Sequence, residues 1–329
     1  MVFAHKDVWT WDMWFADDGD NYHVFYLKAS RALGDPERRH RYPTVGHAVS
    51  RDLLAWTEVA DALIISDSPA FDDATTWTGS VVKAPDGTWR MFYTGTSRAE
   101  DTLVQRVGVA SSPDLVTWTK HSTEALSEAD PAWYETYDGS WHDEAWRDPW
   151  VFQDPEGQGW HMLVTARANH GETFNRGVIG HATSADLETW TTQPPLSEPG
   201  AGFGQLEVPQ VATVDGRHVL IFCCMPAEYS PELRATGVTG GTWAVTIDSP
   251  TGPYDVSQAY PLTGTDLYAG RLVQRRDDGR WFLFAFHNID ADGNFIGALS
   301  SPMPVAWGDD GRLAVVDADP SESVPRRAA

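Results

Sequence analysis

Short apolar runs alternate along this chain with Gly/Asp-rich turns, and almost nowhere do apolar residues keep a helical period. Five runs stand out: HVFYLKA from His23, WRMFYTGT from Trp89, WHMLVTAR from Trp160, HVLIFCCM from His218 and WFLFAFHN from Trp281. Each follows a turn, beginning in order at Asp17, Pro85, Asp154, Asp215 and Asp277. Runs of this length, rich in Val, Ile, Phe, Tyr and Trp and closed by turn residues, read as β-strands. Three are followed by nearly one phrase: VGHAVSRDLLAWT from Val45, VGVASSPDLVTWT from Val107 and IGHATSADLETWT from Ile179. Looser copies begin at Gly241 and Gly297, so the unit returns at steps of 62, 72, 61 and 56 residues. A fixed supersecondary unit repeated at such a period signals a repeat architecture. Five four-stranded units predict an all-β, single-domain, five-bladed β-propeller over residues 1–316, with one helical turn each near Asp130–Thr136 and Pro231–Thr236. The polar segment 317–329 is expected to be a disordered tail.

The repeat gives each residue a phase. The strand before each Asp/Gly turn should be innermost, where side chains from all blades converge. Counting back from the next strand puts Asp12, Ser80, Asp148, Glu207 and Ala269 at one level, so Asp12, Asp148 and Glu207 should face one funnel. Trp56, Trp118 and Trp190 recur with the repeated phrase and are assigned to blade packing, as are His47 and His181.

Composition narrows the function. A formal net charge of −23 disfavours binding to phosphate backbones or anionic lipid, so no nucleic-acid or membrane partner is expected. The two cysteines, Cys223 and Cys224, are neighbours in one strand and point to opposite faces, so a mutual disulfide is not expected. The opening MVFAHKDVWTW has no signal-peptide pattern, and the expected location is cytoplasmic. The eleven histidines show no metal-ligand spacing. No cofactor is required by this reading; structural calcium stays open and is not predicted.

Three carboxylates among tryptophans suit glycosidic-bond cleavage. That reaction needs one carboxylate at the anomeric carbon and one protonated carboxyl at the leaving oxygen. Crowding acids in a partly apolar funnel raises at least one pKa and so supplies the acid. Aromatic faces pack on sugar C–H faces, and Arg147 can hold a carboxylate or a hydroxyl. Substrate contacts are expected from Trp11, Trp14, Trp77, Ser80, Trp146, Arg147 and Tyr268, with Asp143 and Glu144 as rim candidates.

Several stretches resemble the β-fructosidase superfamily, glycoside hydrolase families 32 and 68, which share a five-bladed propeller with family 43. They are YHVFY from Tyr22, VGHAVSRDLLAW from Val45, WTGSVV from Trp77, YTG from Tyr93, the RDP of Arg147–Pro149 and LEVPQ from Leu206. WDMWF from Trp11 is similar to the family 68 nucleophile motif and departs from the NDPN of family 32. Leu27 stands where family 32 usually has glutamine, and no C-terminal β-sandwich is expected here. These departures bear on fructose specificity more than on the carboxylates. The resemblance implies a retaining hydrolase or transferase acting on β-fructofuranosides: Asp12 as nucleophile, Glu207 as acid/base, Asp148 as transition-state stabiliser. A retaining pair sits ~5–5.5 Å apart and an inverting pair ~6.5–9.5 Å. Two alternatives stay open: an inverting family 43-like arabinofuranosidase or xylosidase with Asp12 as general base, and a non-catalytic carbohydrate-binding propeller. Oligomeric state is not predicted.

Overall fold

The computed structural model describes residues 3–317 and holds five antiparallel sheets, one per repeat. Blade 1 comprises Val8–Asp17, Tyr22–Ser30, Thr44–Ser50 and Thr57–Glu58. Blade 2 comprises Thr75–Lys83, Trp89–Thr96, Gln105–Ser112 and Thr119–Lys120. Blade 3 follows with Trp146–Gln153, Trp160–Arg167, Gly177–Ser184 and Thr191–Gln193, and blade 4 with Glu207–Val214, Arg217–Cys223, Thr242–Ile247 and Tyr260–Pro261. Blade 5 is built on Leu267–Gln274 and Trp281–Ile289, with three further strands from Phe295 to Val315. It meets blade 1 and the segment before it directly: the Arg276 amide donates to the Tyr22 hydroxyl at 2.6 Å, and the Leu299 amide to Phe3 O, ahead of the first strand, at 3.1 Å. The segment Pro231–Ala235 is a short α-helix, and Asp130 to Tyr134 makes a single turn, closed by the Trp133 and Tyr134 amides on Asp130 O. Of the expected tail, all but Asp317 lies outside the described residues.

The repeated phrase turns out to be local chemistry plus packing. In each copy the aspartate accepts two amides just ahead of it: Asp52 from Leu54 and Ala55, Asp114 from Val116 and Thr117, Asp186 from Glu188 and Thr189. This side-chain turn carries the intervening leucine, Leu53, Leu115 or Leu187, through φ of 63°, 62° or 68° and buries it. Trp118 and Trp190 then donate their indole N–H to the leucine carbonyl at 3.0 and 3.2 Å. The phrase's glycines serve space rather than backbone freedom. A Cβ on Gly180 would meet Val164 Cγ2 at 2.6 Å and the Trp146 ring at 3.1 Å. Gly180→Ala is therefore expected to lower the unfolding free energy by about 1–3 kcal/mol. Urea unfolding checks this; an unmoved midpoint would contradict the packing argument.

His47 and His181 have structural partners that the strand pattern alone did not show. In blade 1, His23 Nε2 lies 3.1 Å from Asp18 Oδ2 and its Nδ1 2.9 Å from His47 Nε2. In blade 3, His161 repeats this with Asp154 at 2.8 Å and His181 at 2.9 Å. Burial, then the neighbouring imidazole, pushes His47 down to about 3 and His181 down to about 4. Both stay neutral in the fold while an unfolded histidine protonates near pH 6.5. Below that pH the unfolded state binds more protons, so stability falls as pH drops from about 6.5 towards 4. Blade 2 has Val109 at this position. The double variant His47→Val/His181→Val should be less stable at pH 7 yet lose less between pH 7 and 4 than the parent. Thermal melts across that range give the slope, and an unchanged slope would exclude these histidines as its source.

Candidate active site

All five innermost strands carry a β-bulge. Pairing skips from Trp11 to Met13, from Trp77 to Gly79, from Arg147 to Trp150, from Glu207 to Gln210 and from Tyr268 to Arg271. Superposing the bulges gives two adjacent levels. The first holds Trp11, Trp77, Arg147, Glu207 and Tyr268; the second holds Asp12, Thr78, Asp148, Val208 and Ala269. All of these except Ala269 line one cavity of about 870 Å³. The single shared level expected from sequence is thus corrected: Glu207 sits one residue before Asp12 and Asp148, and Ser80 two residues after Thr78. The reason is that turn lengths differ between blades, so counting back from the next strand slips against the bulge.

The bulge is what aims these side chains. Asp12, Asp148, Val208 and Ala269 have φ of 25°, 57°, 53° and 52°, a region that costs an L-residue about 1–2 kcal/mol. Neighbouring blades supply compensating bonds. The Asp148 amide donates to Thr94 Oγ1 at 2.9 Å. The Val208 amide donates to Asp148 Oδ2 and to Thr165 Oγ1, both at 3.2 Å. Such bulges at the rims of closed sheets redirect a side chain out of the ladder, here towards the cavity.

Arg147 is the hub of the polar network. Its Nη2 donates to Glu207 Oε1 at 2.7 Å and also to Gln205 Oε1, and its Nη1 donates to Gln105 Oε1 at 2.9 Å. Its Nε is 3.5 Å from Asp148 Oδ2, and Nη1 is 3.5 Å from Asp143 Oδ2. Burial opposes its charge, but the Asp143, Glu207 and Asp148 carboxylates outweigh that and keep it protonated. The second oxygen of Glu207 accepts the Tyr268 hydroxyl. Asp148 takes the Thr165 hydroxyl at 2.7 Å, and burial raises its carboxyl above the usual range while Arg147 pulls the other way. Asp12 accepts the Thr78 hydroxyl and makes no ion pair among the described residues; burial first, then the Asp148 charge, pushes its carboxyl up to about 7, with the Arg271 charge pulling weakly the other way.

Placement divides the expected contacts. Trp11, Trp77, Arg147 and Tyr268 line the cavity. Trp14, Ser80 and Trp146 do not, and are corrected to structural roles. Trp14 is fully buried and stacks on Phe25, and Trp146 donates its N–H to Ser127 Oγ at 3.0 Å, edge-on to Tyr134. Ser80 Oγ accepts the Val151 amide at 3.0 Å and so ties blade 2 to blade 3. Strand alternation explains Trp146: it neighbours Arg147 and therefore faces the other way. Asp143 reaches the rim, whereas Glu144 turns back to cap the Tyr137 amide at 2.8 Å.

Several wall residues went unread in the sequence. Thr78 shares the level of Asp12 and Asp148, and a correct bulge alignment would have found it. Gln105 and Gln205 flank Arg147, and Glu228 accepts the Gln205 amide at 2.8 Å; burial, then the Glu207 charge, pushes Glu228 up to about 7. Arg39 lies 3.8 Å over the Phe295 ring, and both line the cavity. Arg39 and Glu228 come from between-strand segments with no repeat signal. Among the described residues, no group of three or more His, Cys, Asp or Glu side chains is set out to hold a metal ion.

A five-bladed propeller with three acidic side chains around one arginine defines the class, and the comparisons agree. The model for "Glycosyl hydrolases family 32 N-terminal domain" matches residues 14–314, and the chain belongs to that family. An insoluble β-fructofuranosidase isoenzyme of Arabidopsis thaliana is 30% identical over 195 residues, which is 57% of this chain and 32% of that relative's length. Among solved structures, the inulosucrase from Halalkalicoccus jeotgali bound to kestose superposes with a TM-score of 0.76 at 23% identity, covering 94% of this chain and 87% of that one. The Bombyx mori family 32 β-fructofuranosidase gives 0.72 at 20% identity, covering 96% and 64%. These superpositions establish the shared fold.

Proposed function

We propose that this chain transfers β-fructofuranosyl units to water or to a sugar hydroxyl by a retaining double displacement. The observation that carries the reading is the division of roles within the network. Glu207 is held by Arg147 and Tyr268, Asp148 by Thr165 and the Val208 amide, and Asp12 by a single hydroxyl. A carboxylate with few competing bonds keeps its lone pairs for carbon. Asp12 attacks the anomeric carbon and forms a fructosyl-enzyme ester as the glycosidic C–O bond breaks. Glu207 gives its proton to the leaving oxygen and later takes one from the incoming hydroxyl. Asp148, oriented by Arg147, accepts ring hydroxyls and favours the positive charge that grows at the anomeric centre. Trp11 and Trp77 supply flat apolar walls for the sugar. The family match and the β-fructofuranosidase relative support the fructosyl donor.

Stereochemistry tests it. With sucrose as donor and methanol as acceptor, the product should be methyl β-fructofuranoside, identified by NMR. The α anomer would mean inversion and would move the chain to the general-base mechanism, with Asp12 activating the acceptor. No release of fructose or fructosides from sucrose, inulin or levan would sink the fructosyl assignment itself.

A further inference from the structure

Arg147 is held from both sides by an amide whose own nitrogen is taken by a carboxylate further out. On one side Gln105, at the start of the third strand of blade 2, accepts Arg147 Nη1 through Oε1 at 2.9 Å and donates from Nε2 to Asp143 Oδ2 at 2.8 Å. On the other, Gln205, two residues ahead of Glu207, accepts Arg147 Nη2 through Oε1 and donates from Nε2 to Glu228 Oε1 at 2.8 Å. Both glutamines are buried. The double displacement gives Asp143 and Glu228 no part. Asp143 also stands 3.5 Å from Arg147 Nη1, whereas Glu228 is bonded to Arg147 only through Gln205. Glu228 ends the short turn Pro226–Glu228, and its carbonyl accepts the Gly204 amide at 2.8 Å, which fixes its backbone beside Gln205.

A glutamine amide has one donating and one accepting end, and only one way round suits each gap. Reversed, Gln205 would set its NH₂ against Arg147 Nη2 and its oxygen against the Glu228 carboxylate, donor on donor and acceptor on acceptor. His142 Nε2 lies 3.4 Å from Gln205 Nε2, a longer contact from a side chain that is mostly in solvent. We propose that Glu228 and Asp143 are positioning residues: each locks one glutamine oxygen onto Arg147, and the resulting clamp keeps Arg147 Nη2 on Glu207 Oε1, 2.7 Å away, and so sets the direction of the acid/base carboxyl. A buried polar chain holds its geometry while every member is satisfied, and removing its outer end frees the members behind it. The effect on turnover rests on the fructosyl reading; the effect on the clamp does not.

Glu228→Met removes the outer acceptor at similar size, and Glu228→Gln keeps an oxygen in its place. Glu228→Leu is carried beside Glu228→Met, and whichever of the two folds decides. Crystal structures should show Arg147 bonded to Glu207 in the parent and in Glu228→Gln, and displaced from it in Glu228→Met. That result is independent of the substrate. With the fructosyl donor that the parent turns over, kcat/KM should fall about tenfold in Glu228→Met and return to within about threefold of the parent in Glu228→Gln. In a Gln205→Leu background Glu228→Met should cost nothing further, because its route to Arg147 is already gone. An equal loss in Glu228→Gln would mean that charge, not amide orientation, is what matters. A full further loss in the Gln205→Leu background would mean direct contact with the sugar. Either of these, or an unmoved Arg147 in Glu228→Met, would overturn the proposal. A parent that releases no fructosyl product would sink the fructosyl reading alone, and the crystal structures would still decide the clamp.

Discussion

Asp12→Asn is expected to cut turnover of a fructosyl donor by roughly 10⁴- to 10⁶-fold, the scale seen when a nucleophile acting within a catalytic unit is removed. The same variant should be more stable than the parent at pH 8. In the fold the Asp12 carboxyl is pushed up to about 7, against about 4 for an unfolded aspartate. Between those values the folded state binds more protons than the unfolded one, so stability falls as pH rises through this window and levels off above it. Asparagine removes the ionisation that costs stability above pH 7. Because Asp12 looks onto an open cavity, water screens part of that cost, and the expected gain is on the order of 2 kcal/mol. The pairing of lost activity with gained stability separates a chemical role from misfolding. In the parent, kcat/KM should fall below about pH 7 as Asp12 takes up its proton. Turnover within tenfold of the parent would remove Asp12 from the nucleophile role.

Arg147→Met carries the second large effect. The substitution strips Glu207, Gln105 and Gln205 of their donor and leaves Asp143 and Asp148 without the cation 3.5 Å away. Removing one partner of a buried ion network strands the others, at a cost of about 3–5 kcal/mol. The penalty should be largest at pH 8, where the carboxylates are ionised. It should shrink towards pH 5, because without the guanidinium the buried Asp148 carboxyl, already raised in the parent, takes up a proton more readily. Urea unfolding at the two pH values measures this. An equal loss at both would point to lost packing rather than lost charge. Turnover should fall by about 10²- to 10³-fold, the scale for losing one preorganised donor at a reacting centre.

Much of this design is legible in the chain. The blades are readable because each apolar strand and the Asp-Leu turn after its neighbour are local: Asp52, Asp114 and Asp186 bond amides two and three residues on, so like sequence builds like shape. Asp12, Asp148 and Glu207 stand out because they break an otherwise apolar repeat. Their exact level does not stand out. A bulge is set by cross-strand register, which no count along one strand reveals, and so a strand count places Glu207 and Ser80 off their levels in the ring. The tryptophans make the same point. Trp11 and Trp14 lie in one strand with equal apolar character, and the bulge at Asp12 brings them to one face, opposite Leu27 and Phe25; only Trp11 reaches the cavity, because Trp14 lies three residues further along the strand and stacks on Phe25.

By itself, then, the sequence determined the number of blades, the strands within them, the turns that join them and the three acidic residues at their centre, since these rest on short-range bonding and two-residue alternation. Only the tertiary structure decided which partners each acid has. Thr78 reaches Asp12 from the next blade, Thr165 reaches Asp148, and Tyr268 and Arg147 reach Glu207 across 61 and 60 residues of chain. Those contacts assign the acids their different roles. Apart from the Thr165 bond inside blade 3, they exist only where adjacent blades meet, because a hydrogen bond between blades depends on where two backbones meet in space and leaves no spacing in the chain to be read.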